Sequence, residues 1–533
     1  MRKIISKAIC LFTAMLLLSS PTAFAAENAD TAALLKDIAV PVKYICEAKG
    51  GEATWDSGSQ TATFKLGNTS FQINLKKNQL ISKGKATSLT SRVSTPGGRI
   101  VLPLSTVNHE LGLKLTNDDY LKLIGVKFME LFKNSRTEEC YALLSSSFSK
   151  YLTQQYIGMI APSLNTISFD YDKISLTKNA VHQNLMIPCI IQQTAYTYII
   201  RFDEDGKVDE IASAAPQLQL YTKPTYDDPS QYVEEEVSFG SGEWKLPGTL
   251  TMPKGNGPFP VLILVHGSDP SDRDESIGAL KPFRDLAVGL AAKNIAVLRY
   301  EKRTLEHGTK MQLLGDITMK EEFEEDALAA AEYLKALPGI DPSNIMVLGH
   351  SEGGYDLPRI MKSDTSGLFK AGIIMSGCSR PIYELMAEQT EYFMNKGMAS
   401  QEQVELIKAQ AAMIEDPSFD PANPPAGYIL GTPKYFNDMK NYDVLGMAGS
   451  IDKPVLVLQG QRDFQVNPAT DYDGWKKAFA DSSSAEFKLY PKLNHLYTET
   501  EGNGTPDEYY IPANIPQYVI DDIGDFVNKT AGK

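Results

Sequence analysis

From residue 261 towards the C-terminus, short uninterrupted apolar runs alternate with amphipathic stretches. The runs at 261–265, 295–298, 345–348, 371–375 and 455–458 contain no polar side chain. Strands that read this way are covered on both faces, as in a parallel sheet. Between the second and third runs, Phe323, Ala327, Ala330 and Leu334 recur at helical spacing, and Thr318 with Glu321 makes a capping box ahead of them. This alternation predicts an α/β architecture, a mostly parallel doubly wound sheet with its functional loops at the strands' carboxyl ends.

The front of the chain follows other patterns. Val40-Pro41-Val42 precedes Gly50, and Leu102-Pro103-Leu104 precedes Gly112, with the same proline-to-glycine spacing. Each unit predicts a short strand, a helix started at proline and a glycine stop. Between them, 61–66 and 71–75 alternate as hairpin strands around Gly67-Asn68. Residues 118–215 predict a second small α+β module. Leu121, Val126, Met129 and Leu131 sit on a helical pattern, a further helix starts at Cys140, and a strand over 196–202 turns at 203–206 into another over 207–211. The polar, proline-bearing stretch 223–230 reads as a linker. The expected plan is a leader at 1–25, two small N-terminal α+β domains at 30–116 and 118–215, and the α/β domain at 230–533.

Composition narrows the class. The 533 residues are 43% hydrophobic and 22% charged, which suits packed domains. A net charge of −14 repels phosphate backbones, so no nucleic-acid partner is expected. Arg2, Lys3 and Lys7, an apolar stretch over 8–18 and Ala23-Phe24-Ala25 together read as a secretory signal peptide, so the protein is expected outside the cell or at its surface. Cys10 lies inside that stretch and not after it, unlike a lipid-anchor cysteine. No later segment offers 18 uninterrupted apolar residues, so no integral membrane segment is expected. Cys46, Cys140, Cys189 and Cys378 match no metal spacing, and four buried thiols are expected; a Cys140–Cys189 bridge is the competing reading.

The chemistry concentrates behind three of the apolar runs. Gly349-His350-Ser351-Glu352-Gly353 follows the run 345–348 and fits the G-x-S-x-G nucleophile elbow. The glycines leave room for a strained strand-to-helix turn. The pentapeptide could arise by chance, and its placement between strand and helix is what gives it weight. A serine hydroxyl needs a base. Of six histidines only His495 lies beyond Ser351, just after the apolar end of the last expected strand at 487–490. Asp463, just past the run 455–458, is the expected acid that orients the histidine; Asp471 and Asp473 compete, but stand where acids favour a helix N-terminus. His266-Gly267-Ser268 follows the run 261–265, so the backbone N–H groups of Ser268 and Glu352 are the expected oxyanion donors. His109 is the only histidine of its module and reads as structural.

Three resemblances follow from these motifs. The paired proline–glycine units with Trp55-Asp56 resemble the copper amine oxidase N-terminal-like stalk domain of secreted bacterial proteins, which implies possible attachment to the cell wall; no metal cluster accompanies them. Residues 118–215 resemble an uncharacterised cone-shaped domain found ahead of secreted hydrolases. The run from His266 to Glu275, with 281–287 and 297–303, resembles a carboxylesterase family of the α/β-hydrolase fold near the dienelactone hydrolases. That likeness covers about 300 residues from Val233 onward. It implies metal-free and cofactor-free hydrolysis of short-chain carboxylic esters, with the family triad on Ser351, Asp463 and His495. Dienelactone hydrolases carry a cysteine nucleophile where this chain has Ser351, a departure that speaks against lactone specificity.

The segment 378–450 reads as a helical cap insertion. Ser400 with Gln403 caps a stripe of Val404, Ile407, Ala411 and Ile414, and Met386, Phe393, Met394, Met398 and Met413 add pliable apolar bulk. A lid over an acyl pocket and plain core filler are equally compatible with it. Two other functions compete with the esterase. A serine peptidase of the prolyl-oligopeptidase type shares fold and triad, but no blade period of about 40–50 residues is visible ahead of the α/β region. A non-catalytic cell-surface binding protein has no use for the triad.

Overall fold

The computed structural model describes residues 39–89, 100–215, 220–502 and 504–533. The leader read at 1–25, with Cys10, lies outside the described residues. The described residues divide into two compact units, one up to residue 215 and one from residue 220.

In the first unit the two proline–glycine repeats meet each other. Ala39–Pro41 pairs antiparallel with Val101–Pro103, Val40 opposite Leu102. Each strand ends on its proline and runs directly into a helix, Val42–Ala48 and Leu104–Leu111. Gly112 closes the second at φ +66, a conformation that costs glycine nothing. Between the repeats lies a five-stranded antiparallel meander from Glu52–Asp56 to Lys85–Ser88. Its expected hairpin pairs Phe64 with Phe71 across the strands.

The region expected as the second small module contains the helix Asn117–Lys133, capped by Thr116 and Asp119, and a second sheet. Cys140 lies inside the helix Thr137–Tyr141 instead of starting one; the helix begins earlier, with the acids Glu138 and Glu139 in its first turn, where they suit the helix dipole. The long strands Gln183–Ile191, Thr194–Phe202 and Val208–Ala214 lie side by side in the sheet, with Val208–Ala214 at its edge.

The second unit is built on one eight-stranded sheet. Its strands are β1 (Tyr232–Phe239), β2 (Leu246–Pro253), β3 (Phe259–Val265), β4 (Ala296–Tyr300), β5 (Ile340–His350), β6 (Phe369–Met375), β7 (Val455–Gly460) and β8 (Ala485–Tyr490). They lie in the order β1-β2-β4-β3-β5-β6-β7-β8. β1 and β2 form an antiparallel hairpin at one edge, β2 runs antiparallel to β4, and the remaining pairs are parallel.

The apolar runs are explained by two cores. Val261, Ile263 and Val265 of β3 enter one cluster, whereas Leu262 and Leu264 enter the cluster on the opposite face. Each such fully buried side chain contributes about 1.5–3 kcal/mol. Helices α1 (Pro282–Ala291) and α6 (Gln517–Thr530) pack over the second cluster; α2 (Glu325–Lys335) and α3 (Glu352–Ser363) cover the first. The insertion after β6 carries α4 (Ile382–Asn395) and α5 (Gln401–Glu415), the latter with the capping box of Ser400 and Gln403.

The stretch 223–230 is not a free linker. Tyr226 packs against the second cluster, and its hydroxyl donates to Ile515 O at 2.7 Å. Just before it, Tyr221 donates to Asp285 at 2.7 Å. Both tyrosines combine an apolar ring with one polar tip, so a polar-looking segment is anchored to the unit at two points. The second unit therefore starts by residue 220, ahead of the expected boundary at 230. All four described cysteines are buried free thiols. Among the described residues no helix is long and apolar enough to cross a membrane.

Candidate active site

β5 ends at His350, α3 begins at Glu352, and Ser351 makes the turn between them at φ +53, ψ −117. A non-glycine residue here stores backbone strain, and the tight turn lifts its side chain off the sheet. The turn leaves no room at either flanking glycine. A Cβ on Gly349 would lie 2.1 Å from Gly353 O, and one on Gly353 would lie 2.4 Å from His266 O. Ser351 N donates to Met375 O at 2.9 Å, which fixes the elbow to β6. Ser351 is partly exposed, whereas His350 and Glu352 are buried.

Two further loops reach the same end of the sheet. After β8, His495 is buried, and its Nδ1 lies 2.8 Å from Asp463 Oδ2. Asp463 follows β7. Its Oδ1 accepts from the backbone N–H groups of Gln465 and Val466, both at 2.8 Å, and its Oδ2 also accepts from Gln459 Nε2 at 2.9 Å. These donors aim the carboxylate at His495 Nδ1, and leave Nε2 as the ring nitrogen not committed to this pair. The competing acids are engaged elsewhere: Asp471 accepts from Ser379 N at 2.9 Å and pairs with Arg380, and Asp473 pairs with Lys476 on the surface. The elbow and the histidine loop are joined directly, because His350 Nε2 lies 3.0 Å from His495 O.

The third loop, His266-Gly267-Ser268, passes over the nucleophile. A Cβ on Gly267 would lie 2.9 Å from Ser351 Cβ and 3.4 Å from its Oγ. Glu352 N is the first amide of a twelve-residue helix and has no partner within it. His266 is no candidate base. Burial pushes its pKa down to about 4, and its Nε2 faces Asp272 O at 2.9 Å.

Sequence reasoning missed Glu275 and the part played by His350. Glu275 Oε1 accepts from Gly267 N at 2.7 Å, while its Oε2 pairs with His350 Nδ1 at 2.9 Å. A chain of contacts thus runs from the Gly267 loop through Glu275 and His350 to the backbone of His495. The only signal was that Glu275 ends the acidic run after β3 and His350 fills the x of the elbow; nothing in the spacing paired them. The side chain of Glu352 is itself buried. Burial, with Glu322 nearby, pushes its carboxyl up to about 7, and the Tyr435 hydroxyl donates to it at 2.7 Å.

Known proteins show where these features recur. Residues 26–124 match the copper amine oxidase N-terminal domain, and residues 290–417 match the prolyl oligopeptidase family, a span that includes the elbow but ends before Asp463 and His495. Over 407 residues the chain is 31% identical to Esterase EstD of Thermotoga maritima, covering 75% of this chain and 94% of that protein. Among solved structures, Est1E from Butyrivibrio proteoclasticus is 19% identical with a TM-score of 0.37, covering 56% of this chain and 99% of its own. The Pyrococcus furiosus esterase Pf2001 is 17% identical with a TM-score of 0.37, covering 59% and 96%.

Proposed function

This chain belongs to the α/β-hydrolase esterase family of Esterase EstD and is a carboxylic ester hydrolase; from that premise we propose that it hydrolyses short-chain esters through an acyl-enzyme on Ser351. The observation that carries the reading is the 2.8 Å contact of Asp463 with His495, on a loop bonded to the residue beside an elbow serine.

In the proposed cycle, His495 Nε2 takes the proton from Ser351 Oγ as the oxygen attacks the ester carbonyl. The negative charge that develops on the carbonyl oxygen is met by the N–H groups of Ser268 and Glu352. As the tetrahedral species collapses, His495 gives its proton to the departing alcohol. Water then attacks the acyl-enzyme by the same route, releasing the acid and restoring the serine. Asp463 keeps the ring in the tautomer with Nδ1 protonated and stabilises the imidazolium.

A peptidase of the prolyl-oligopeptidase type is the second reading, favoured by the match over residues 290–417. A matched ester and amide pair separates the two: the esterase reading expects the ester to be cleaved and the amide to be left. The leader pattern at 1–25 supports export, and the match of 26–124 to a domain family that resembles a stalk supports retention at the cell wall. Cell fractionation tests both.

The triad is tested by Ser351→Ala. Ester hydrolysis and covalent labelling by a fluorophosphonate probe are both expected to vanish while the melting temperature holds. Labelling that survives in the variant places the nucleophile on another residue.

A further inference from the structure

Lys302 stands just past the carboxyl end of β4, and its side chain is only 1% exposed. Its Nζ donates to Gly267 O at 2.7 Å and to Asp269 O at 3.3 Å, and pairs with Glu322 Oε1 at 2.5 Å. Three N–H bonds thus have three acceptors, and the Phe323 ring lies 4.4 Å below. A lysine buried for stability needs one carboxylate. This one spends its other two N–H bonds on the carbonyls either side of Ser268.

Gly267 O and Ser268 N belong to one peptide plane. We propose that Lys302 is a positioning residue of the oxyanion hole, gripping the carbonyl end of the peptide whose N–H end meets the oxyanion. The inference rests on the reading of Ser268 N–H as an oxyanion donor. Two consequences follow from a cation at that carbonyl. The plane cannot rotate, since its O is tied to Lys302 while the preceding N–H of Gly267 is tied to Glu275 at 2.7 Å. The amide is also polarised: electron density drawn onto Gly267 O leaves the Ser268 N–H a stronger donor, as in any charge-assisted chain of hydrogen bonds. Preorganisation of this kind acts where charge develops, so it belongs to the transition state more than to the bound ester.

The test is Lys302→Met in the full chain, assayed with a short-chain ester, with its thiono counterpart, and with a trifluoromethyl ketone that adds to the serine as a hemiketal oxyanion. Sulfur accepts hydrogen bonds poorly, so the thiono ester depends less on the hole. The expected result is a loss of about 10–100-fold in kcat with KM nearly unchanged, less than the 10²–10³ of losing a whole donor. Ketone affinity is expected to fall by a matching factor and the oxo-to-thiono rate ratio to shrink. A folded variant with wild-type kcat, or one in which oxo and thiono rates fall together, overturns the proposal. Should Lys302→Met not fold, the double variant Lys302→Met with Glu322→Gln removes the stranded carboxylate and is read by the same ratio. The parent reading fails separately, through an active Ser351→Ala. An inactive Ser351→Ala beside an unaffected Lys302→Met sinks only the role of Lys302.

Discussion

Glu275 and His350 form the pair on which three loops converge, and their energetics follow from burial. Burial alone would lower the pKa of His350, but the Glu275 carboxylate at 2.9 Å reverses this and raises it above 6.5. For Glu275, burial works upward and the His350 charge overrides it, leaving the carboxyl below 4.5. The sign of the linkage is therefore fixed at both ends. The His350 contribution is complete below its unfolded value near 6.5 and is lost as pH rises through the raised folded value. The Glu275 contribution is present above about 4.5 and is lost as pH falls through its lowered value. Glu275→Gln breaks a buried pair, and a stability loss of about 3–5 kcal/mol is expected at pH 6. The gap between wild type and variant should narrow as pH rises past the folded His350 value. Denaturant unfolding at pH 6 and pH 9 checks this; a gap that is equal at both removes the charge of His350 from the account.

At the scale of elements, the five apolar runs became five of the sheet's strands because burial on both faces imposes a pattern that a reader can see. The β1–β2 hairpin carried no such signal. Its Glu234-Glu235-Glu236 run looks like a solvated loop, yet Glu234 pairs with Arg284 and Arg299, and Glu236 with Arg273. Those arginines lie 37 to 65 residues away along the chain, so the neutralisation is invisible locally. The insertion after β6 is likewise clearer in place than in sequence. Val404, Ile407 and Ile414 are buried, as filler requires, but α4 is also tied to the loop after β7, by Gln389 to Gln465 O at 2.9 Å and by Glu388 to Asn467 at 2.8 Å. Phe464, next to Asp463, stacks on Tyr392 of α4. That loop thus has two tasks, one for each buried acid. Asp463→Asn should lower kcat by about 10⁴ with little change in melting temperature, because the amide holds the wrong histidine tautomer. Asp471→Asn should keep kcat within about tenfold and lower the melting temperature, since Ser379 N and Arg380 lose an ionised acceptor. The reverse pattern would exchange the two assignments.

For the whole molecule, the sequence divides function from framing more cleanly than it divides the framing itself. The candidate site residues Ser351, Asp463, His495, Ser268 and Glu352 are all singled out by position after a strand, because this fold class presents its functional loops at strand ends. The start of the catalytic unit is not. Residues 223–230 are rich in proline and acid, and only the structure discloses that Tyr221 and Tyr226 anchor the stretch while Asn514 donates to Thr222 O at 2.8 Å. Asp285 is the centre of this anchorage. Burial pushes its carboxyl up to about 6, and the Tyr221 hydroxyl, Ile515 N and Asn514 all donate to it. A fragment of residues 220–533 keeps every one of these bonds and every candidate catalytic group. It should fold alone and hydrolyse a small soluble ester within about twofold of the full chain, because a domain of this size buries an ample core. A fragment of residues 228–533 loses both tyrosines. At about 1 kcal/mol for each hydrogen bond, with more for the apolar ring of Tyr226, it should be roughly 2–4 kcal/mol less stable while keeping the same active-site constants wherever it remains folded. Parallel melting curves and steady-state assays decide the matter. Equal stability of the two fragments would return 223–230 to the status of a linker, and an inactive 220–533 fragment beside an active full chain would make the first unit part of the enzyme.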